Sequence, residues 1–195
     1  QTVTQLMDSA RVPGLAVALL EGNKVAYLRA YGLRNVAEKA PLTPETAMYG
    51  ASFSKAVFAY LVLQLVQEKR LDLDRPLHEY LPKPLPEYDA YHDLAGDERW
   101  RRLTARMALS HTTGLPNWRW IEPDKKLRFK FEPGARYGNS GEGLQLLQLV
   151  VETITAQSLT ELSQARVFGP LGLARSSYVW QPAFEANYAL GYDEQ

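Results

Sequence analysis

The chain has 195 residues, of which 46% are hydrophobic, with 22 lysines and arginines against 22 aspartates and glutamates and no cysteine. That length supplies one domain or two small ones with a real core. The charge balance removes the basic surplus that would point to nucleic acid or an acidic membrane, and without cysteine any covalent chemistry must come from oxygen or nitrogen.

Leu6, Met7 and Ala10 at helical spacing run into Val12-Pro13-Gly14 and predict a short helix over 4–11. Two apolar runs, 15–20 and 24–31, flank Glu21-Gly22-Asn23 and predict a β-hairpin. Residues 40–48 hold two prolines and two threonines and predict a loop. The apolar run through Val57, Leu61, Leu65 and Val66 predicts a helix from about Ser52 to Glu68. Alternating Pro82, Pro84 and Pro86 predict irregular surface up to Arg99. A helix over 100–109 is stopped by the glycine and proline of His111-Thr112-Thr113-Gly114-Leu115-Pro116. Helices are also predicted over 144–154 and 159–167, the second ending at Gly169-Pro170-Leu171-Gly172.

No stretch approaches the roughly 18 apolar residues of a membrane span, and no charged and apolar leader opens the chain, so a soluble protein that starts mature is expected. The basic clusters at 99–102 and 125–130 read as solvated faces. One hairpin is a marginal sheet, since three or more strands are normally needed, and further strands are expected to be missing.

Chemistry concentrates at Ser52-Phe53-Ser54-Lys55, where a turn gives way to the helix. Ser52 and Lys55 stand one turn apart on the same face, so their heads can meet. A serine hydroxyl needs a neighbour to take its proton, and Lys55 is placed to do so, while the helix N-terminus offers backbone N–H to a developing oxyanion. Ser54 lies off the lysine's face. Alone, S-x-x-K is a common tetrapeptide.

Five ordered segments change its weight: Val12-Pro13-Gly14-Leu15-Ala16-Val17-Ala18, Gly50 through Lys55, Leu109 through Pro116, Phe131-Glu132-Pro133-Gly134 and Pro170-Leu171-Gly172-Leu173. Together they resemble the family of class C β-lactamases, D-alanyl-D-alanine carboxypeptidases and related serine esterases, over nearly the whole chain. The resemblance implies Ser52 as the acylated nucleophile and Lys55 as its partner. For His111 a structural role is expected, and His78 and His92 have no metal-ligand spacing.

The family's second motif is Y-x-N, with a proton-transferring tyrosine. Tyr137-Gly138-Asn139 satisfies it literally. Relatives reading F-x-P-G, an aromatic and then Y-S-G-E-G instead put Asn139 in the tyrosine slot before Ser140-Gly141-Glu142-Gly143, with Tyr137 in the earlier aromatic slot. The second register is preferred because both flanks align without a gap. An amide has no proton to give up near neutral pH, so a weakened hydrolase is expected. In an extended chain 137 and 139 share a side, which leaves Tyr137 within reach as the alternative. The family's third motif, a lysine or histidine followed by serine or threonine and glycine, has no match after Gly143.

The resemblance implies an α+β fold: an antiparallel sheet flanked by helices plus an all-helical region, incomplete because late sheet strands are absent. The expected division is 1–50 for the helix and hairpin, 51–168 for the helical region and 169–195 for the start of a return to the sheet. The expected function is a serine hydrolase that forms an acyl-enzyme on Ser52 from a β-lactam, a D-alanyl peptide or a small ester. Tyr137 and Asn139 manage the proton, Trp118 and Ser140 contact substrate, and no metal or cofactor takes part. The alternative is a non-hydrolytic penicillin-binding sensor or scaffold. Expected partners are the small-molecule substrate, no nucleic acid, and a complementary C-terminal segment or a second copy at the open sheet edge. The implied location is periplasmic or secreted, with the cytoplasm as alternative.

Overall fold

A computed structural model describes residues 2–192. The chain divides into two compact units. Segments up to Ala51 and from Ala174 onward make the first, and Ser52–Leu173 the second.

In the first unit α1 (Val3–Ala10) starts on a capping box, in which the Gln5 N–H donates to Thr2 Oγ1 and the Thr2 N–H donates to Gln5 Oε1. Strands β1 (Gly14–Glu21) and β2 (Lys24–Asn35) form the predicted antiparallel hairpin. Its turn residues Gly22 and Asn23 both have positive φ, 55° and 60°, which matches the twist of the strands they join. Ala16 faces Ala30 and Ala18 faces Leu28, with a register shift between Leu19 and Leu20.

A third strand, β3 (Ala40–Pro41), pairs with β2 in the order β1-β2-β3, within the stretch expected to be loop. Two residues, one of them proline, carry no alternation to read. The C-terminal segment then returns to this unit. Ala47 and Tyr188 form a parallel bridge, closed by N–H donation from Ala47 to the Asn187 carbonyl and from Ala189 to the Ala47 carbonyl, each 2.9 Å. Met7 of α1 is buried close to Gly32 of β2, whereas Leu19, Leu20, Val25 and Leu28 of the hairpin are more than half exposed.

The second unit is built on α2 (Phe53–Gln67), α3 (Ala105–Leu109), α4 (Gly141–Thr155) and α5 (Leu159–Ser163), the last continuing into a π-helical turn over Gln164–Phe168. Leu61, Val62 and Leu65 of α2, and Leu146, Leu147, Val150 and Val151 of α4, are all but inaccessible. Each such leucine contributes about 1.5–3 kcal/mol by leaving water. The stretch expected to be irregular surface holds four short 3₁₀ helices, Leu77–Tyr80, Leu85–Glu87, Asp89–Leu94 and Glu98–Arg102. It also supplies core: Leu77, Leu85, Tyr91, Leu94 and Trp100 are buried. The predicted 100–109 helix is therefore two pieces, broken at Leu103 and Thr104, where the Thr104 hydroxyl caps α3 through the Met107 N–H.

Several members of the basic clusters are paired locally, Arg99 with Asp97 and Glu132, Arg102 with Glu132, Arg128 with Asp124 and Lys130 with Glu122. Among the described residues no helix is long and apolar enough to cross a membrane.

Candidate active site

Helix α2 opens at Ser52, directly after Ala51, whose φ of 42° lies in the left-handed region. A serine at this position commonly caps its helix, but the Ser52 hydroxyl makes no capping hydrogen bond. It accepts instead from Lys55 Nζ at 2.9 Å. The one-turn spacing brings the two heads together, as the sequence predicts. Ser52 is exposed and Lys55 half-buried, so the hydroxyl is open to a substrate while the lysine is held. The N-terminus of α2 is the positive end of the helix dipole, where a developing oxyanion is favoured, and the Lys55 N–H there donates to the Ser52 carbonyl at 3.1 Å.

Residues 137–140 lead into α4, and their burial alternates. Tyr137 and Asn139 are exposed, Gly138 is half-buried and Ser140 is buried. Gly138 has no room for a side chain, since a Cβ there would stand 2.7 Å from the Phe131 ring.

Ser140 departs from expectation. It was expected to contact substrate, but its side chain is inaccessible and committed to the helix cap. The hydroxyl accepts from the Gly143 N–H at 2.9 Å and donates to the Pro116 carbonyl at 3.1 Å, with Thr113 Oγ1 3.3 Å away. A buried hydroxyl with its donor and acceptor capacity in use is a structural cap.

His111 is tied into the same segment. Its carbonyl accepts from the Gly138 N–H at 2.8 Å and its Nδ1 accepts from the Ser140 N–H at 3.0 Å. The ring meets the Tyr137 ring edge-on, centroids 5.9 Å apart. Burial, and next the positive charge of Lys55, hold the His111 imidazole below its ordinary pKa. His78 packs edge-on against Trp100 instead, and among the described residues no group of three or more metal-ligating side chains occurs.

Trp118 stacks on Trp120 with ring centroids 4.5 Å apart and covers Gly141, where a Cβ would overlap the indole. The next residue, Arg119, grips the fully buried Glu142 of α4. The Arg119 backbone N–H and Nε donate to Glu142 Oε1 at 2.8 and 3.0 Å, and Nη2 donates to Oε2 at 2.6 Å. The Asn117 side chain accepts from the Gly141 N–H at 3.2 Å. Residues 117–119 therefore fasten the start of α4, and with it Ser140 and Asn139. Sequence reasoning left this clamp out. The one available sign was an acidic residue in the first turn of an apolar helix, which ordinarily reads as a favourable dipole contact.

A seryl hydroxyl and a lysine amine are in contact at a helix N-terminus in the helical unit, and the other unit carries a small antiparallel sheet. The β-lactamase family model matches residues 1–195, and the chain belongs to that family. Protein flp of Staphylococcus aureus (strain MRSA252) is 23% identical over 204 residues, 97% of this chain and 39% of the relative. D-aminopeptidase of Brucella anthropi is 27% identical over 198 residues, 98% of this chain and 37% of the relative. Among solved structures, D-alanine carboxypeptidase AmpC from Burkholderia cenocepacia aligns with a TM-score of 0.79 at 24% identity, covering 97% of this chain and 52% of that one. The octameric penicillin-binding protein homologue from Pyrococcus abyssi aligns with a TM-score of 0.77 at 22% identity, covering 98% and 46%. The chain thus spans about half the length of these solved structures and less of the curated relatives.

Proposed function

We propose that this chain carries the nucleophilic centre of a serine hydrolase that works through an acyl-enzyme on Ser52. The observation that supports the reading best is the 2.9 Å contact between Lys55 Nζ and Ser52 Oγ, with the hydroxyl left out of the helix cap. Lys55 is the group that takes the hydroxyl proton as Oγ bonds to the substrate carbonyl carbon. The tetrahedral oxyanion collects at the Ser52 N–H, at the positive end of α2. Collapse breaks the bond to the leaving amine or alcohol, which takes up the proton that Lys55 received from Ser52, and water then cleaves the ester on Ser52 to release the acid.

The substrate is a β-lactam, a D-alanyl peptide or a small ester, with Trp118 as the side chain beside which it lies. The names of the D-aminopeptidase and D-alanine carboxypeptidase relatives favour the D-amino-acid class. Such substrates fit a periplasmic or secreted address. The exposed hairpin leucines support cover by a complementary segment or a second copy at the sheet.

A second reading has its own observation. The exposed Asn139 fills the tyrosine slot of the preferred register, and an amide cannot serve as the proton-transfer group. The chain would then take up acyl groups and release them slowly, as a penicillin-binding sensor does. Turnover separates the two: a sensor gives one equivalent of leaving group and stops, and a hydrolase continues. Asn139→Tyr raising steady-state turnover supports the preferred register, whereas loss of turnover in Tyr137→Phe alone supports the literal Y-x-N.

A further inference from the structure

His111 stands where a helix usually ends on glycine. After α3, the His111 N–H donates to the Ala108 carbonyl at 3.2 Å and the Thr112 N–H to the Met107 carbonyl at 2.8 Å, the paired bonds of a Schellman cap. Its left-handed slot is filled by His111, with φ 56°, a conformation most side chains avoid. A strained residue held at such a position is a reason to ask what its side chain does.

The side chain bonds one specific group. With Nδ1 accepting the Ser140 N–H, the proton of the neutral ring sits on Nε2, and the tautomer is fixed by the backbone of the site. The His111 carbonyl takes the Gly138 N–H as well, so Asn139 is held between two anchored neighbours. We infer that His111 is a positioning residue for acyl transfer, a neutral latch that seats the Tyr137–Ser140 segment and lets go of it when the ring is protonated.

Protonation puts a proton on Nδ1, where it confronts the Ser140 N–H, because a charged imidazole has two donors and no acceptor. The charged and titratable groups facing the ring are Lys55 from α2 and Tyr137 from the segment itself. Burial and the Lys55 charge both oppose protonation, so the latch is closed at neutral pH and opens as pH falls below the ordinary imidazole range.

The activity arm of the test rests on the serine-hydrolase reading, and a structural arm does not. Acylation by a fluorescent penicillin is followed against pH in the wild type, His111→Asn and His111→Gly. Asparagine keeps an acceptor near the Nδ1 position and tolerates the left-handed backbone, and glycine suits the backbone but removes the acceptor. Misplacement of the segment is expected to slow His111→Gly on the order of 100-fold at neutral pH. His111→Asn stays near the wild-type rate and loses the extra steepness of the wild type's acid limb. In parallel, nitrogen NMR of the ring and the Ser140 amide is recorded through the same titration. The inference expects an Nε2–H ring at neutral pH and a Ser140 amide shift that moves with its protonation. His111→Gly acylating like the wild type, or a Ser140 amide indifferent to His111 titration, overturns it. If the wild type takes no label at any pH, the hydrolase reading fails, and the NMR arm alone decides whether the latch exists.

Discussion

Glu142 and Arg119 meet in a two-pronged ion pair in which the carboxylate is wholly buried and the guanidinium remains partly in solvent, at 0% and 21% side-chain exposure. This asymmetry sets which partner matters more. Arg119→Met strands a buried carboxylate and is expected to cost about 3–5 kcal/mol, the usual penalty for breaking a buried pair from one side. Glu142→Gln leaves a cation that can turn toward water and costs less. Urea denaturation of the two variants checks the order, and equal losses would mean that the charge is not what the clamp supplies.

Gly114 and Gly96 make a controlled pair. Both have strongly positive φ, 80° and 84°, but a Cβ at Gly114 would overlap the Phe131 carbonyl whereas one at Gly96 meets open space. Gly96→Ala should lose about 1–2 kcal/mol for the left-handed backbone alone. Gly114→Ala adds a steric term of about 1–3 kcal/mol, because the 112–115 turn cannot move without dragging 131 with it. Thermal midpoints of the two variants give the comparison directly.

Stability should fall in mild acid. His111 and His78 are both held below the ordinary imidazole value, His111 by burial and Lys55, His78 by burial and Arg101. Between those lowered values and the unfolded value near 6.5, the unfolded chain binds more protons than the native one, so stability rises with pH across that window, and below it the loss from the two histidines is complete and levels off. Replacing His111 by asparagine removes its share of the slope, which chemical denaturation at a series of pH values measures.

The sequence carried the parts of this molecule that rest on local periodicity. The hairpin turns on Gly22-Asn23, where both residues take the positive φ the turn demands, and α2 and α4 follow largely apolar runs. The Ser52–Lys55 contact also follows from helical spacing alone. What could not be read is non-local. Leu77, Leu85 and Leu94 are buried from short 3₁₀ turns among prolines, a segment with no period to reveal its inward side. The bridge from Ala47 to Tyr188 joins residues far apart in the chain. Ser140 reads as a motif serine beside a site, and only three-dimensional neighbours show its hydroxyl spent on Pro116 and Gly143.

Lys55→Met should retain the fold, since Lys55 contacts Ser52 from a half-buried position at the start of α2. Acylation should fall about 10²–10⁴-fold, the range for loss of a positioned proton acceptor. The measurement is the rate of label uptake from a fluorophosphonate at fixed pH, with circular dichroism to show an intact helix content. A lysine variant that labels at the wild-type rate would remove Lys55 from the mechanism.

The central claim is that Ser52 is the nucleophile, and adduct mapping addresses it most directly. The protein is incubated with a labelled penicillin or a fluorophosphonate, digested, and the modified peptide sequenced by mass spectrometry, with Ser52→Ala alongside. The account predicts a single adduct on Ser52, approaching one equivalent, and none in the variant. An adduct on Ser54 or any other residue, or unchanged labelling of Ser52→Ala, would contradict it.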